Sequence, residues 1–436
     1  MSSTELPQVT AGTRSRWLQR AGLAVFLVLL VVLARESARH SIDFPVYHRA
    51  ARQILAGHFE LYPQEAYDGH PGPSQGFRYL PAIAYLFVPF GLLPLEWSAL
   101  VFYVLKLLAL WWVGATIARR AGWPDWGFGA FALAFVIVGG YLAEELRFGN
   151  AHFFCVWLMV LAYDRVEAGK VLTPALALAV AIATKLTPLA LLGYFVLRRR
   201  VSVVLATLAM LVVLVILPAG ATGWTAYERE LRAYSTYALE KVDEGDNYSL
   251  RGALSRYLTP GHADISHVDA SVADLSPAAV NALWIAGVLA LGLAALFALW
   301  QSSRDPAAKL LEFSIVLTGI VLASPHTQRR YFVTLFVPVV VLLTQWERLR
   351  SGRDRRLVLM GVLATAAPAT ILPLVFGGRR LALLYEATSP YFFGAFGLFA
   401  VLVILTLRCK SSFPVRSSAG RPARSSVDAG AHPVQQ

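Results

Sequence analysis

Long apolar runs separated by short polar segments repeat along the chain, and this pattern limits the folds that the chain can adopt. Only 15% of the 436 residues are charged, against about 25% in soluble domains, and the mean hydropathy is +0.55. Because about 20 apolar residues cross a bilayer as a helix, the sequence predicts an all-α, polytopic integral membrane protein with about 12 transmembrane helices. The candidate runs are 21–34, 79–94, 97–118, 126–142, 151–163, 171–197, 201–218, 279–300, 310–323, 331–346, 357–376 and 383–407.

Arginine clusters at the ends of these runs set the expected orientation, because positive residues are enriched on the cytoplasmic side of a membrane. An even number of spans puts both termini inside, together with residues 198–200, 348–356 and the segment after 408. Arg119 and Arg120 instead fall outside. Either they are a functional exception, or one run between residues 79 and 163 is re-entrant. The net charge of +12 is concentrated in these clusters and does not indicate nucleic acid as a partner.

The two ends of the chain are expected to lie outside the membrane domain. Residues 1–20 form a polar segment, interpreted as cytoplasmic, in front of the first apolar run. This pattern fits either a signal peptide or a signal-anchor helix, and we favour the uncleaved anchor because no clean small-x-small cleavage site follows. Residues 21–408 form the predicted transmembrane domain. Residues 409–436 are rich in Ser, Arg, Pro and Ala, which predicts a disordered cytoplasmic tail.

Three polar loops are predicted on the outer side, at residues 35–78, 221–277 and 324–330. The first contains Asp43, followed by a segment in which Tyr47, Ala51, Ile54 and Leu55 share one helical face. Such a segment predicts an interfacial helix that Gly57 ends. The second loop has helical spacing from Trp224 to Ala238, and the segment Asp246-Asn247-Tyr248-Ser249 is predicted to cap a further helix at 250–258.

The order of short motifs along the chain resembles glycosyltransferase family 87. These enzymes are polyprenyl-phosphate-mannose-dependent mannosyltransferases of the GT-C type. The resemblance runs over about residues 20–345. Its motifs begin with Asp43, Tyr47, Ala50-Ala51, Gly57 and Leu61-Tyr62, and continue with Phe77-Arg78-Tyr79-Leu80-Pro81, Gly149-Asn150, Lys185, Pro188, Arg198–Arg200, Asn247-x-Ser249-Leu250 and Ser324-Pro325.

The resemblance implies transfer of a hexose, mannose in this family, from a polyprenyl-phosphate sugar to a hydroxyl group of a glycolipid or glycan. The expected partners are this donor, the acceptor and membrane lipids, and the expected place is the outer face of a bacterial cytoplasmic membrane. An inverting displacement needs a base for the hydroxyl proton and cations for the leaving phosphate. No cofactor or metal is expected, because the donor is already activated and the sequence contains no Asp-x-Asp pair.

Asp43 is the candidate base, and the alternative is a solvated loop acid or a helix N-cap. His326, Arg329 and Arg330 are the candidate phosphate clamp, with Arg78 as a further member; a charged turn and a helix anchor are the alternatives. Lys185 lies deep in an apolar run, where ionisable residues are usually functional, although a lysine can also extend its ammonium group to the interface.

Two further residues, Tyr62 and Asn247, are predicted to contact sugar. Glu144 and Glu145 end an apolar run before Arg147, and they either pair with this arginine or have a functional role. The competing class of protein is a polytopic transporter or lipid flippase. That class predicts inverted repeats and several charges at the membrane midplane, and the sequence shows no repeat. A structural scaffold would not need an acid and arginines on one side.

Overall fold

The computed structural model describes residues 11–68, 76–123, 126–238, 246–260, 268–303, 305–346, 349, 351–375 and 379–412. Within these ranges every regular element is a helix, which confirms the all-α prediction. The α-helices are α1 Ala11–His40, α2 Phe44–Leu55, α3 Gln64–Tyr67, α4 Pro81–Leu86, α5 Val88–Gly91, α6 Leu95–Ala121, α7 Phe128–Ile137, α8 Gly139–Phe148, α9 His152–Glu167, α10 Leu172–Thr184, α11 Ala190–Leu197, α12 Val201–Ile216, α13 Ala219–Thr222, α14 Trp224–Ala238, α15 Leu250–Leu258, α16 Pro277–Gln301, α17 Pro306–Ala323, α18 Phe336–Trp346, α19 Gly352–Ala366, α20 Leu372–Val375, α21 Arg379–Ala387 and α22 Pro390–Ser412. Thr187–Leu189 and Arg329–Leu335 are 3₁₀ turns, and Ala367–Ile371 is a π-helical segment.

Length and composition qualify a minority of these helices as membrane spans. Among the described residues, five helices are long and apolar enough to cross a bilayer. Helices α7 and α8 make a sixth if they count as one span, although they meet at an angle of 88°. The total of twelve therefore stays a prediction. The predicted boundary at residue 20 falls inside α1, α22 extends to Ser412, and the tail beyond it lies outside the described residues.

Two of the predicted runs are not single helices. The run 79–94 is divided into α4 and α5, each of which begins at or next to a proline. Proline lacks a backbone N–H and clashes with the preceding turn, so it starts helices and does not continue them. The run 171–197 is interrupted at Lys185, whose backbone is extended, and continues through the 3₁₀ turn to α11.

Arg119 and Arg120 do not lie on the outer side, where the count of twelve spans would put them. Both guanidinium groups contact the buried carboxylate of Asp164 near the end of α9, and Arg120 Nε lies 2.7 Å from Asp164 Oδ1. One turn further along α9, Glu167 lies 2.6 Å from Lys309 and 3.8 Å from Arg200. Arg119 and Arg120 therefore lie at the same end of the bundle as Arg200. We call this the basic end. Of the two alternatives, the structure supports the re-entrant run.

The opposite end carries the extramembrane helices, and α2 is buried there more deeply than an interfacial helix. Phe44, Tyr47, Ala50 and Ala51 pack against α4, α5 and α6, and Gly57 follows the end of the helix as predicted. Leu55, expected on the apolar face, is 44% exposed. The apolar face of α2 therefore packs against other helices and not against the membrane surface.

The second predicted loop folds onto the first. Helix α14 spans Trp224–Ala238 as the spacing predicted, and Glu230 accepts hydrogen bonds from the Tyr67 hydroxyl and the Leu61 amide. Burial of the Glu230 carboxyl raises its pKa to about 7. Ser249 caps α15 by accepting a hydrogen bond from the Gly252 amide, as predicted.

Candidate active site

Asp43 stands at the junction of α1 and α2, and its carboxylate does not cap α2. In place of the cap, Oδ2 accepts a hydrogen bond from Asn150 Nδ2 at 2.8 Å and lies 3.4 Å from Arg330 Nε. Among the described residues both polar contacts of the carboxylate fall on Oδ2. Oδ1 is therefore the oxygen that remains open to an incoming hydroxyl group.

The backbone fixes the position of Asp43 independently of these side chains. The amides of Ile42 and Asp43 both donate to the carbonyl of Phe148, at 3.2 and 2.9 Å. Gly149 follows with a φ of +68°, and a Cβ at this position would lie 2.7 Å from the Cβ of Phe44. Glycine is the residue that tolerates both the left-handed backbone and the close approach. The end of α8 can thus lie directly against the start of α2.

Asn150 is held in one orientation by a second hydrogen bond. Its Oδ1 accepts from the backbone amide of His152 at 2.8 Å, so its Nδ2 must face Asp43. The His152 ring in turn lies 2.9 Å from the Thr334 hydroxyl and 4.8 Å from the Tyr331 ring. The Asp43 carboxylate is therefore oriented by a packed set of side chains.

Charges of alternating sign continue from Asp43 along one wall. Arg330 lies 4.0 Å from Glu144, Glu144 lies 3.3 Å from Arg329, and Arg329 lies 3.7 Å from Glu386. The side chain of Arg330 is only 13% exposed and also packs against the rings of Phe148 and Tyr331. The two arginines of the predicted clamp thus share Glu144 and differ in their second carboxylate, which is Asp43 for Arg330 and Glu386 for Arg329.

Several cations act electrostatically on His326, which also lies 3.9 Å from the carboxylate of Asp246. Burial, and then the positive charges of Lys185, Arg78, Arg330 and Arg251, lower the pKa of His326 to about 4. The imidazole is therefore neutral near pH 7. The Lys185 ammonium lies 3.0 Å from the centre of the Tyr331 ring, which also borders Arg330. The structure thus brings together four predicted site residues and adds Arg251, which the sequence did not single out.

The two predicted sugar contacts have their polar atoms engaged within the protein. Asn247 donates to the Pro325 carbonyl at 2.9 Å and accepts from the amides of Thr327 and Ser249. It therefore orders the turn that carries His326. The Tyr62 hydroxyl donates to the Tyr79 carbonyl at 2.7 Å, and the residue is buried. Their sugar-binding roles stay predictions.

The expected pairing of Glu144 and Glu145 with Arg147 is wrong. Glu144 pairs with Arg329 and Arg330. Glu145 points to the opposite side of α8, where it lies 3.4 Å from the buried ammonium of Lys106 and accepts from the Phe153 amide. The Arg147 guanidinium packs against the ring of Phe148. Neighbours in sequence are poor partners here because adjacent positions on a helix face different directions.

A cavity of about 620 Å³ opens beside Arg330, within the size range of ligand pockets. Its charged lining consists of Glu144, Arg147, Asp246, Arg329, Arg330 and Glu386. In the part of the chain that the structure describes, no group of three His, Cys, Asp or Glu side chains is arranged as metal ligands. The sequence missed Asn150, Asp246 and Glu386 as site residues. Only Asn150 carried a signal, as part of the Gly149-Asn150 motif.

Comparison with known proteins assigns the chain to a family. Residues 77–325 match glycosyltransferase family 87, which is more than half of the chain. The chain belongs to glycosyltransferase family 87. It is therefore a glycosyltransferase, and the transporter and flippase alternative is set aside.

Two relatives of this family 87 enzyme align with most of its length. A polyprenol-phosphate-mannose-dependent alpha-(1-2)-phosphatidylinositol mannoside mannosyltransferase of Mycobacterium tuberculosis is 27% identical over 406 residues, which cover 86% of this chain and 87% of the relative. A relative of the same description from Mycolicibacterium smegmatis is 27% identical over 363 residues, 77% of each chain. The crystal structure of ArnT from Cupriavidus metallidurans in the apo state aligns with a TM-score of 0.42 and 16% identity, over 92% of this chain and 78% of that one.

Proposed function

We propose that this enzyme transfers mannose from polyprenol-phosphate mannose to a hydroxyl group of a mannose-containing glycolipid, with inversion at the anomeric carbon. The names of the two family 87 relatives support this donor and this class of acceptor. The observation that carries the proposal is the Asp43 carboxylate, which Asn150 and Arg330 hold through one oxygen while the other remains open.

The reaction is a single displacement. The acceptor oxygen attacks the anomeric carbon, the bond from that carbon to the phosphate oxygen breaks, and polyprenyl phosphate leaves with one additional negative charge. The acceptor proton passes to Oδ1 of Asp43. Arg330 lies beside the carboxylate and balances its charge before the proton arrives. A β-linked donor then gives an α-linked product, and no covalent intermediate is needed.

The cations around His326 are suited to the leaving group. Lys185, Arg78, Arg251 and Arg330 all act electrostatically on His326, and Lys185 and Arg330 both border the ring of Tyr331. Preorganised positive charge stabilises a phosphate that gains charge in the transition state. His326 is neutral there and can donate or accept one hydrogen bond without adding a further charge. No metal ion is required for this role.

The proposed site faces outward from the cytoplasmic membrane of a bacterium. Arg119, Arg120, Arg200 and Lys309 lie at the basic end of the bundle, which the positive-inside rule assigns to the cytoplasm. Asp43 lies at the opposite end, next to α2 and the other extramembrane helices. A donor with its tail in the bilayer presents its phosphate at this depth.

The substitution Asp43→Asn tests the base. Asparagine keeps the shape of the side chain and cannot accept the proton, so we expect transfer of mannose from polyprenol-phosphate mannose to fall by about 10²–10⁴-fold. The measurement compares purified wild type and variant in detergent, with yield and thermal unfolding as controls for folding. A variant that keeps more than about a tenth of wild-type turnover excludes Asp43 as the base.

A further inference from the structure

The cavity beside Arg330 differs in charge from the region around His326. Three carboxylates, Glu144, Asp246 and Glu386, and three guanidinium groups, Arg147, Arg329 and Arg330, line it, so their formal charges cancel. Lys185 and Arg330 both border the ring of Tyr331, and Asp246 lies 3.9 Å from His326, so this carboxylate belongs to both regions. A phosphate is favoured beside Lys185 and Arg330 and is repelled by Glu144 and Glu386 of the cavity. The cavity and the region around His326 therefore suit different substrates of the reaction.

The cavity has the chemistry of a carbohydrate site. Carboxylates accept hydrogen bonds from sugar hydroxyls, guanidinium groups donate to ring and hydroxyl oxygens, and both kinds of group line this cavity. The ring of Tyr248 adds an aromatic face, and Leu33, Gly140 and Ala143 form an apolar part of the wall. Leu33 belongs to α1, whose neighbouring apolar residues Val31 and Val32 are 69% and 52% exposed. The apolar wall is thus continuous with a lipid-facing helix.

The ion pairs in the wall fix the carboxylates without using them up. Glu144 contacts Arg329 at 3.3 Å, and Arg329 contacts Glu386 at 3.7 Å. Glu386 also accepts from the Tyr391 hydroxyl at 3.3 Å, which orients it from the far side. A carboxylate has about four acceptor sites, so each can hold a sugar hydroxyl as well.

We infer that this cavity binds the terminal sugar of the acceptor, as a neutral mannoside, while the donor phosphate lies in the region around His326. Arg330 links the two, because it lines the cavity, contacts Asp43 and acts electrostatically on His326. Glu144 and Glu386 hold the acceptor ring and determine which hydroxyl faces Oδ1 of Asp43. The inference rests on the proposed function and specifies which side of the site each substrate occupies.

The test uses the full-length enzyme in detergent, polyprenol-phosphate mannose as donor and octyl α-D-mannopyranoside as acceptor. Glu386→Gln removes a charged acceptor of hydrogen bonds and is expected to raise the KM for the octyl mannoside by roughly tenfold, while the KM for the donor stays at its wild-type value. Ala143→Phe fills part of the cavity and is expected to have the same selective effect without altering any charge. Glu60→Gln is the matched control and should change neither KM. Glu60 is an exposed acid that pairs with Arg229 of α14.

The outcomes separate the two proposals. If wild type transfers no mannose to the octyl mannoside, the proposed function fails. If wild type is active and both cavity variants keep the wild-type KM for the mannoside, only the assignment of the cavity fails. A raised KM for the donor in Glu386→Gln places the donor in the cavity and also overturns the assignment.

Discussion

Asn150 determines how the Asp43 carboxylate is presented, because it binds Oδ2 and is itself locked by the His152 amide. We expect Asn150→Ala to lower kcat by roughly tenfold, since a hydrogen bond to a charged group contributes about 1.5–3 kcal/mol. The KM for the donor should change little, because Asn150 is on the Asp43 side of Arg330. Steady-state kinetics of the purified enzyme measure both constants.

Asn150→Gln is the matched variant, because it keeps an amide that can donate to Asp43. It should retain more activity than Asn150→Ala at a similar melting temperature. Equal kcat values for Asn150→Ala and wild type would show that Asn150 has no part in positioning the base.

Arg251 is expected to bind the donor phosphate together with Lys185 and Arg78, because all three charges act on His326. Arg251→Gln should raise the KM for polyprenol-phosphate mannose by roughly tenfold, the equivalent of one charge-assisted contact. Arg229→Gln is the control, because the Arg229 side chain is 57% exposed and pairs with Glu60 on the surface. Identical donor KM values in the two variants would remove Arg251 from the phosphate site.

The sequence identified the residues of the site whose positions in the chain are themselves informative. Asp43 follows the first apolar run, Lys185 interrupts another, and the turn at 324–330 places cations on the side where few are expected. Glu386 and Asp246 carried no such signal, because their role depends on helices that meet only in the folded bundle. Likewise, Arg329 and Arg330 look equivalent in sequence, and only the folded bundle brings Arg330 to Asp43 and Arg329 to Glu386.

At the scale of helices, the topology differs from the predicted one at two places: the break at Lys185 and the division of the run 79–94. Because the run 79–94 does not cross as one helix, α6 ends with Arg119 and Arg120 at the basic end. The turn at Lys185 in the run 171–197 keeps Arg200 at the same end. Apolar periodicity cannot detect this, because a buried re-entrant helix and a membrane span have the same composition. The helices α2, α14 and α15 were predictable because their spacing and caps are local properties.

Single cysteines test this arrangement in a chain with Cys155→Ala and Cys409→Ser. Lys170→Cys, at the basic end after α9, should react with a membrane-impermeant maleimide only after the cells are lysed. Val272→Cys, which is 81% exposed in the segment before α16, should react in intact spheroplasts. Labelling of both positions from the same side would contradict the arrangement, and a cysteine-free chain provides the background.

For the molecule as a whole, the ion pair of Lys106 and Glu145 is the most deeply buried charge pair described, with side chains 1% and 0% exposed. Removing one partner leaves a buried charge uncompensated, which typically costs about 3–5 kcal/mol. Lys106→Met should therefore lower the melting temperature in detergent strongly. Lys106→Met combined with Glu145→Gln should recover much of the loss, because glutamine keeps the acceptor for the Phe153 amide and carries no charge.

Lys309→Met is the control for this comparison. Lys309 pairs with Glu167 at 2.6 Å, but both side chains are more than 20% exposed, and exposed pairs contribute about 0–1 kcal/mol. If Lys106→Met melts no earlier than Lys309→Met, the buried pair does not hold α6 against α8.

The hydrogen bond between Asn150 and Asp43 joins residues 107 positions apart, and Arg330 comes much later still. During synthesis, Asp43 therefore leaves the ribosome long before either of its partners exists. A nascent or truncated chain that has inserted its first helices has an acid at the membrane surface without the groups that orient it. We therefore expect activity only after the turn at 324–330 has been translated and packed against Asp43, so that incomplete chains do not transfer the sugar of the lipid-linked donor to water.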